Sequence, residues 1–162
     1  MQNHMDWRND RIGSAIRGEN PMILTQMKSG FAAIGDTQFL TGYCVLLPSR
    51  QVNSLEELDY KQRCQFLFDM SLLGDAVKSV MNPIRINYSI YGNTAAFLHA
   101  HVFPRFIWEP EERKPKPVWL YPKEMWSETE YHYSQEKHGQ IREKITHKLK
   151  VIMQQAYTDV TH

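Results

Sequence analysis

Two histidines, His99 and His101, alternate with small apolar residues in the run Phe97-Leu98-His99-Ala100-His101-Val102-Phe103, which Pro104-Arg105 closes. A neutral imidazole is a good nucleophile at physiological pH because its unperturbed pKa lies just below 7. It can attack phosphorus when one ring nitrogen is free and the other carries a proton held by an acceptor, such as a backbone carbonyl. A second imidazole two residues along can donate to a non-bridging phosphate oxygen, where charge is handled during transfer. Just upstream, Gly92-Asn93-Thr94 reads as a turn. Glycine there lets backbone amides approach an anion, and Asn93 and Thr94 offer side-chain donors. The plainer alternative is a half-buried strand carrying two incidental histidines.

The elements that must position these groups follow from periodicity. Alternation with period two predicts a strand in which Phe97, His99, His101 and Phe103 share one face and Leu98, Ala100 and Val102 the other. Upstream, a short helix is expected over Asp10 to Arg17, stopped by Gly18. Strands are expected over Met22 to Lys28 and Phe31 to Gly35, joined by a Ser29-Gly30 turn. Asp36 to Thr41 reads as a loop, and Gly42 to Pro48 as a strand buried on both faces. Ser54-Leu55-Glu56-Glu57 has the capping-box pattern of a helix start. From Asp59 to Met81, Cys64, Leu67, Phe68, Leu72, Ala76, Val77 and Val80 fall at helical intervals, as core packing requires, and Asn82-Pro83 ends the run. Ile84 to Ile90 is another strand. Trp108 to Pro117 reads as a loop, and a final helix is expected over Ser134 to Tyr157, with Ile141, Ile145, Leu149, Ile152, Met153 and Ala156 on its apolar side and a basic, solvated face opposite.

The bulk composition narrows the classes. The 162 residues favour one domain, and 42% hydrophobic with 23% charged residues is ordinary for a globular protein. A formal net charge of +1 with no run of one sign argues against a dedicated nucleic-acid surface. It leaves room for a small anionic ligand. Cys44 and Cys64 have neither metal-like nor disulfide-like spacing and are expected to be reduced core or near-core residues. The N-terminal MQNHMDWRND lacks an apolar leader and no stretch approaches membrane-spanning length, so no membrane association and a cytoplasmic location are expected.

The histidine strand resembles the signature of the histidine triad (HIT) superfamily of nucleotide hydrolases and transferases, His-x-His-x-His followed by two apolar residues and often Pro-Arg. Registering on Val102-Phe103-Pro104-Arg105 puts the triad positions at Phe97, His99 and His101. The resemblance implies that His99 is the nucleophile and that His101 contacts the phosphate; Phe97 departs from the pattern at the first position. Gly42-Tyr43-Cys44-Val45-Leu46-Leu47-Pro48-Ser49-Arg50 is similar to the family's Gly-His-apolar strand ending in Pro-x-Arg, and Ser54 to Leu58 to the helix entry that follows. By the same resemblance Asn87 matches an Asn ahead of the triad, Asn93-Thr94 a phosphate-contacting Gln-Ser/Thr pair, and Asp36 the ribose-binding position. The match runs from Asp10 to Arg105, and Trp119-Leu120-Tyr121-Pro122 looks like the aromatic extension of some bacterial members.

What the resemblance implies is an α+β fold with an antiparallel sheet, a long amphipathic helix and a C-terminal helix. Residues 1–162 would form a single HIT-like domain, with 106–162 a C-terminal extension of loop plus helix. It further implies a homodimer that binds a purine nucleotide without a cofactor or metal. His99 and His101 would be catalytic, and Asp36, Asn87, Gly92, Asn93, Thr94 and Phe97 would line the substrate. The expected reaction is hydrolysis at the α-phosphate of a dinucleoside polyphosphate or nucleoside phosphoramidate through a nucleotidyl-histidine, as in diadenosine tetraphosphate hydrolases. Since phenylalanine neither donates nor accepts a hydrogen bond, the alternative is a weak or inactive nucleotide-binding sensor. Two other readings are a zinc site on His99, His101 and His132 or His138, and a structural dimer module. Arg105 and Arg50 could touch phosphate or be solvated or surface-paired. Trp119, Tyr121 and Trp126 could stack on a base or cover the core. His4, His147 and His162 are expected to be exposed and idle.

Overall fold

The computed structural model describes residues 6–160. His4 and His162 lie outside them. Five strands, β1 (Ile23–Gln26), β2 (Gly30–Ile34), β3 (Cys44–Pro48), β4 (Arg85–Ser89) and β5 (Ala100–Arg105), form an antiparallel sheet in the order β1-β2-β3-β5-β4. The expected α+β class is what the structure shows. Four helices accompany the sheet: α1 (Arg11–Ile16), α2 (Tyr60–Met81), α3 (Glu124–Ser127) and α4 (Gln135–Asp159). None is long and apolar enough to cross a membrane.

One face of the sheet is the main core. Leu46, Leu98, Ala100 and Val102 meet Phe66, Leu73 and Val77 of α2 there, and Ile145 and Leu149 of α4 join them. β5 therefore alternates as its sequence requires: Leu98, Ala100 and Val102 are fully buried in that core, so His99, His101 and Phe103 face the other way. On that opposite face α1 covers Phe31 and Leu47 through Ile12 and Ala15. The C-terminal segments cover Tyr43 and Phe103 through Val118, Trp126 and Tyr131. The histidines lie between these two coverings.

Three sequence expectations change. Ser54 opens only a 3-10 turn, Leu55–Glu57, and makes no side-chain cap. The capping box belongs to Asp59, whose carboxylate accepts from Gln62 N at 2.8 Å while Gln62 Oε1 accepts from Asp59 N at 3.1 Å. The buried face of α2 is also broader than the apolar pattern. Leu72, Ala76 and Val77 are buried as expected, and Phe68 and Val80 pack at its margin. Phe66, Asp69 and Leu73 are buried as well, and Cys64 and Leu67 are exposed. The Asp69 carboxylate accepts from Ser29 N, Gln65 Nε2 and Tyr157 Oη, tying the β1–β2 turn to both long helices. Hydrophobicity alone passes over such a residue.

The third correction concerns Arg105, which is neither solvated nor surface-paired. Only 4% exposed, it lies at the end of β5 and donates through Nε and Nη2 to Glu109 at 2.9 to 3.1 Å. Its remaining donors reach Asn87 Oδ1 and the carbonyls of Arg113 and Lys116. Glu109 accepts in addition from Tyr121 Oη and Phe106 N. Burial pushes the Glu109 carboxyl up, and the bonds from Arg105, Tyr121 and Phe106 outweigh it, holding it below the usual carboxylate range. This pair folds residues 106–121 back over the sheet. Removing one member leaves a buried charge unpaired, so Arg105→Ala is expected to cost about 3–5 kcal/mol in urea unfolding. Arg17→Ala, which breaks only surface pairs with Asp10 and Glu19, should leave the midpoint nearly unchanged. Equal losses in the two variants would contradict the role given to Arg105.

Candidate active site

His99 and His101 project side by side, with ring centroids 4.7 Å apart and planes at 74°. Their outer nitrogens differ because their inner ones do. His99 Nδ1 lies 2.8 Å from the carbonyl oxygen of Phe97. A carbonyl only accepts, so Nδ1 carries the proton and Nε2 keeps its lone pair. His101 Nδ1 lies 2.6 Å from Tyr43 Oη. Among the described residues the Tyr43 hydroxyl has no other partner, and burial holds its pKa far above the ordinary phenol value. A buried hydroxyl hydrogen needs an acceptor, and Nδ1 is the one within reach. His101 therefore accepts at Nδ1 and carries its proton on Nε2. One ring presents a lone pair and its neighbour a donor.

Both rings favour the neutral form at pH 7. Burial lowers the His99 pKa below 6.5; the Phe97 carbonyl partly offsets this, and the Arg11 charge adds to it. Burial, together with the neighbouring His99, pushes His101 down to about 3.

Tyr43 reaches His101 by register. Val45 pairs with His101 across β3 and β5, so Tyr43, two residues earlier, lies on the same face and stacks on Phe103 at 4.0 Å. Trp119 closes the other side. Its ring meets His101 edge to face at 4.8 Å and stacks on Trp126 at 5.0 Å.

The histidines line two cavities at once. The first, about 280 Å³, runs between α1 and β3 and is bounded by Met22, Ile34, Val45, Leu47, Phe97 and Trp126. Asp36 and Arg11 stand among its lining residues in a two-point ion pair at 2.5 and 3.1 Å. The backbone of Asp36 is fixed by Tyr133 N, and its neighbour Thr37 by Met125 O. The second cavity, about 570 Å³, lies beyond the rings and is lined by Tyr91, Gly92, Asn93, Thr94, Ala95 and Trp119. Gly92 has φ +73°, a conformation that favours glycine.

The structure thus brings together His99, His101, Asp36, Phe97, Gly92, Asn93 and Thr94 of the residues singled out by sequence. Asn87 is apart. It lies in neither histidine cavity but one strand over, on β4, where its Oδ1 accepts from Arg105. Phe97 packs its ring 4.8 Å from that of His99 and supplies the carbonyl that orients it. Trp119 and Trp126 wall the site, whereas Tyr121 is taken up by Glu109. Arg50 and His147 are exposed. His138 Nδ1 accepts from Ser134 N, and the described residues contain no group of three His, Cys, Asp or Glu placed to hold a metal. Sequence reasoning missed Arg11 and Tyr43. A polar aromatic directly after Gly42, on the strand beside the histidines, is the signal that could have found Tyr43.

No protein-family model and no curated protein sequence matches the chain. Solved structures do match it. A histidine triad (HIT) protein from Sinorhizobium meliloti is 20% identical and superimposes with a TM-score of 0.67 over 89% of this chain and 95% of that one. A hypothetical histidine triad nucleotide-binding protein from Sulfolobus tokodaii gives 0.66 at 13% identity, over 88% and 93%. Diadenosine triphosphate hydrolase from Plasmodium falciparum, in complex with cyclomarin A, gives 0.57 at 13%, over 80% and 76%. The chain therefore has the fold of the histidine triad proteins.

The ring assignment is directly observable. Long-range ¹H–¹⁵N spectra at pH 7 should show two neutral rings in opposite tautomers, His99 protonated at Nδ1 and His101 at Nε2. His101 should stay neutral as the pH falls through 6.5, and His99 should take up its proton at a lower pH than a free imidazole. Tyr43→Phe should mix the tautomers of His101 while leaving His99 as it was. Two rings of one tautomer, or either ring charged at pH 7, would contradict the assignment.

Proposed function

We propose that the chain is a nucleotide hydrolase acting at the α-phosphate of a purine nucleotide conjugate through a nucleotidyl-histidine intermediate. One observation carries the reading: a bare Nε2 on His99 beside an Nε2–H on His101, at the junction of two cavities. The nucleoside occupies the narrow first cavity, with Asp36 toward the ribose and the base between apolar walls. That places the α-phosphate at the rings and the leaving group in the second cavity. The fold shared with a nucleotide-binding histidine triad protein and with diadenosine triphosphate hydrolase supports this.

The chemistry then follows. The Nε2 lone pair of His99 forms a bond to phosphorus as the bond to the leaving group breaks, its electron pair departing with that group. His99, now bonded at Nε2 and protonated at Nδ1, is cationic, and the Phe97 carbonyl stabilises that charge. His101 Nε2–H donates to a non-bridging oxygen throughout. Water then attacks phosphorus, the P–N bond breaks with its pair returning to Nε2, and the water proton is released to solvent.

Phe97 supports a second reading as well. A phenyl ring cannot protonate the leaving group, and a missing general acid typically costs 100-fold or more. The same pocket would then serve as a slow or silent nucleotide sensor.

Incubation with diadenosine tetraphosphate or adenosine 5′-phosphoramidate should yield AMP. His99→Ala should reduce the rate by about a thousandfold or more, and His101→Ala by about 100- to 1000-fold. Because burial lowers the His99 pKa in the free protein, the acid limb of kcat/KM should lie below pH 6.5, where free imidazole would already be half protonated. Phe97→His should raise kcat if the first position handles the leaving-group proton. AMP binding without turnover of either substrate, in the native chain and in Phe97→His alike, would favour the sensor.

A further inference from the structure

Attack at phosphorus makes no use of the ion pair between Arg11 and Asp36, which stands in the wall of the first cavity. The pair is held from both sides. Arg11 belongs to α1, whose N-cap Asp10 accepts from Gly13 N at 3.1 Å, and its guanidinium lies over the Trp7 ring, 5.2 Å from the centroid. Asp36 follows β2, with its carbonyl fixed by Tyr133 N at 2.8 Å. With side chains 29% and 50% exposed, the two contribute little to stability as an ion pair. What distinguishes them is where they stand. Of the other polar side chains in this wall, Asn20 donates to the Arg11 carbonyl and accepts from Met22 N, Thr37 donates to Met125 O, and Tyr43 is committed to His101.

Arg11 and Asp36 each keep unspent capacity. A carboxylate oxygen has more than one acceptor site, and the guanidinium takes one on each: Nη1 donates to Oδ1 at 3.1 Å and Nη2 to Oδ2 at 2.5 Å. Among the described residues Arg11 Nε and the outer N–H of each Nη have no hydrogen-bond partner. The flank of the fork therefore presents a donor beside an acceptor, nitrogen and oxygen 2.5 to 3.1 Å apart. Two hydroxyls on adjacent carbons have a similar spacing. One can accept from Arg11 while the other donates to Asp36, and both bonds are charge-assisted. A carboxylate without the arginine could only accept from the two.

We propose that Arg11 is a specificity-determining residue, which reads a vicinal diol together with Asp36, Arg11 as donor and Asp36 as acceptor. The inference rests on the placement of the nucleoside in the first cavity and adds the residue that decides which sugars enter it. The site takes a nucleotide whose 2′- and 3′-hydroxyls are both present and unsubstituted. A deoxyribose leaves one charged group facing the cavity without its partner, and a phosphate on either hydroxyl meets the Asp36 carboxylate. The base plays no part in this contact.

Calorimetric binding of AMP, 2′-deoxy-AMP and 3′-deoxy-AMP to the intact chain tests this without turnover. The native chain should bind AMP about 10- to 100-fold more tightly than either deoxynucleotide. Arg11→Ala should bring that ratio close to one, while its urea midpoint stays near the native value. Arg11→Lys keeps the charge without the fork and should lose the ratio as well. Because the two side chains act as one reader, Arg11→Ala/Asp36→Ala should weaken AMP no further than the costlier single variant, whereas independent contacts would multiply. The ratio of AMP to GMP affinity should be the same in the native chain and in Arg11→Ala. In turnover of diadenosine tetraphosphate, Arg11→Ala should raise KM and leave kcat nearly unchanged. Equal binding of AMP and the deoxynucleotides by the native chain would overturn the role of Arg11. An unchanged ratio in Arg11→Ala or Arg11→Lys, or tighter AMP binding in Arg11→Ala, would do the same, and turnover by the native chain would still leave the hydrolase reading standing. A ratio that is lost with Arg11, in a chain that turns over no nucleotide conjugate, would uphold the diol site and remove the hydrolase reading.

Discussion

The buried pair of Arg105 and Glu109 is the interaction on which the site's architecture hangs. Both side chains are nearly inaccessible to water, 5% and 0% exposed, and a charge so placed must find its partners within the protein. Arg105 finds them on β4, on Glu109 and on two carbonyls of the following segment, so one guanidinium joins the end of β5 to its neighbour strand and to residues 109–116. That junction decides where Val118 and Trp119 go. Trp119 lines both histidine cavities, and without the return of the chain the face carrying His101 and Phe103 would be open to solvent. Residues 125–133 complete the cover by holding the loop that bears Asp36.

Within that frame the chemistry is set by what each histidine does with its inner nitrogen. The two rings are two residues apart, His99 just ahead of β5 and His101 within it, and would be equivalent in an isolated peptide. A carbonyl under one and a phenol under the other make them complementary, one a lone pair and one a donor. Burial disfavours the charged form of both, which in the proposed reaction would preserve the lone pair of His99 and cost little reorganisation when charge develops on a bound phosphate. The same carbonyl that fixes the tautomer of His99 would, in the proposed reaction, stabilise the imidazolium that attack creates. Phe97 contributes that carbonyl through its backbone, although its side chain has no proton to give.

Much of the fold was legible because it is local. The alternation through Leu98, Ala100 and Val102, the stop at Gly18 and the apolar side of α4 follow from spacing alone. The place of Asp69 on the buried face of α2 was not, because it takes its partners from the β1–β2 turn and from Tyr157, each far along the chain. The histidines themselves and the turn at Gly92 were legible as residue types. Their protonation was not, since the Tyr43–His101 bond spans 58 positions and depends on the β3–β5 register. Asn87 and Arg105 show the limit most clearly. Each is a polar residue on a strand, and only the packing reveals that one bonds the other and that both belong to the return of the C-terminal segment.

The account stands or falls on covalent attack by His99. The most direct measurement is rapid quenching without acid during turnover of a dinucleoside polyphosphate, followed by intact-mass analysis and peptide mapping. It should find a nucleotidyl group on the peptide carrying His99, attached at Nε2 and absent in His99→Ala. AMP formed at the native rate with the adduct on another residue, or with none at any time of quenching, would contradict it.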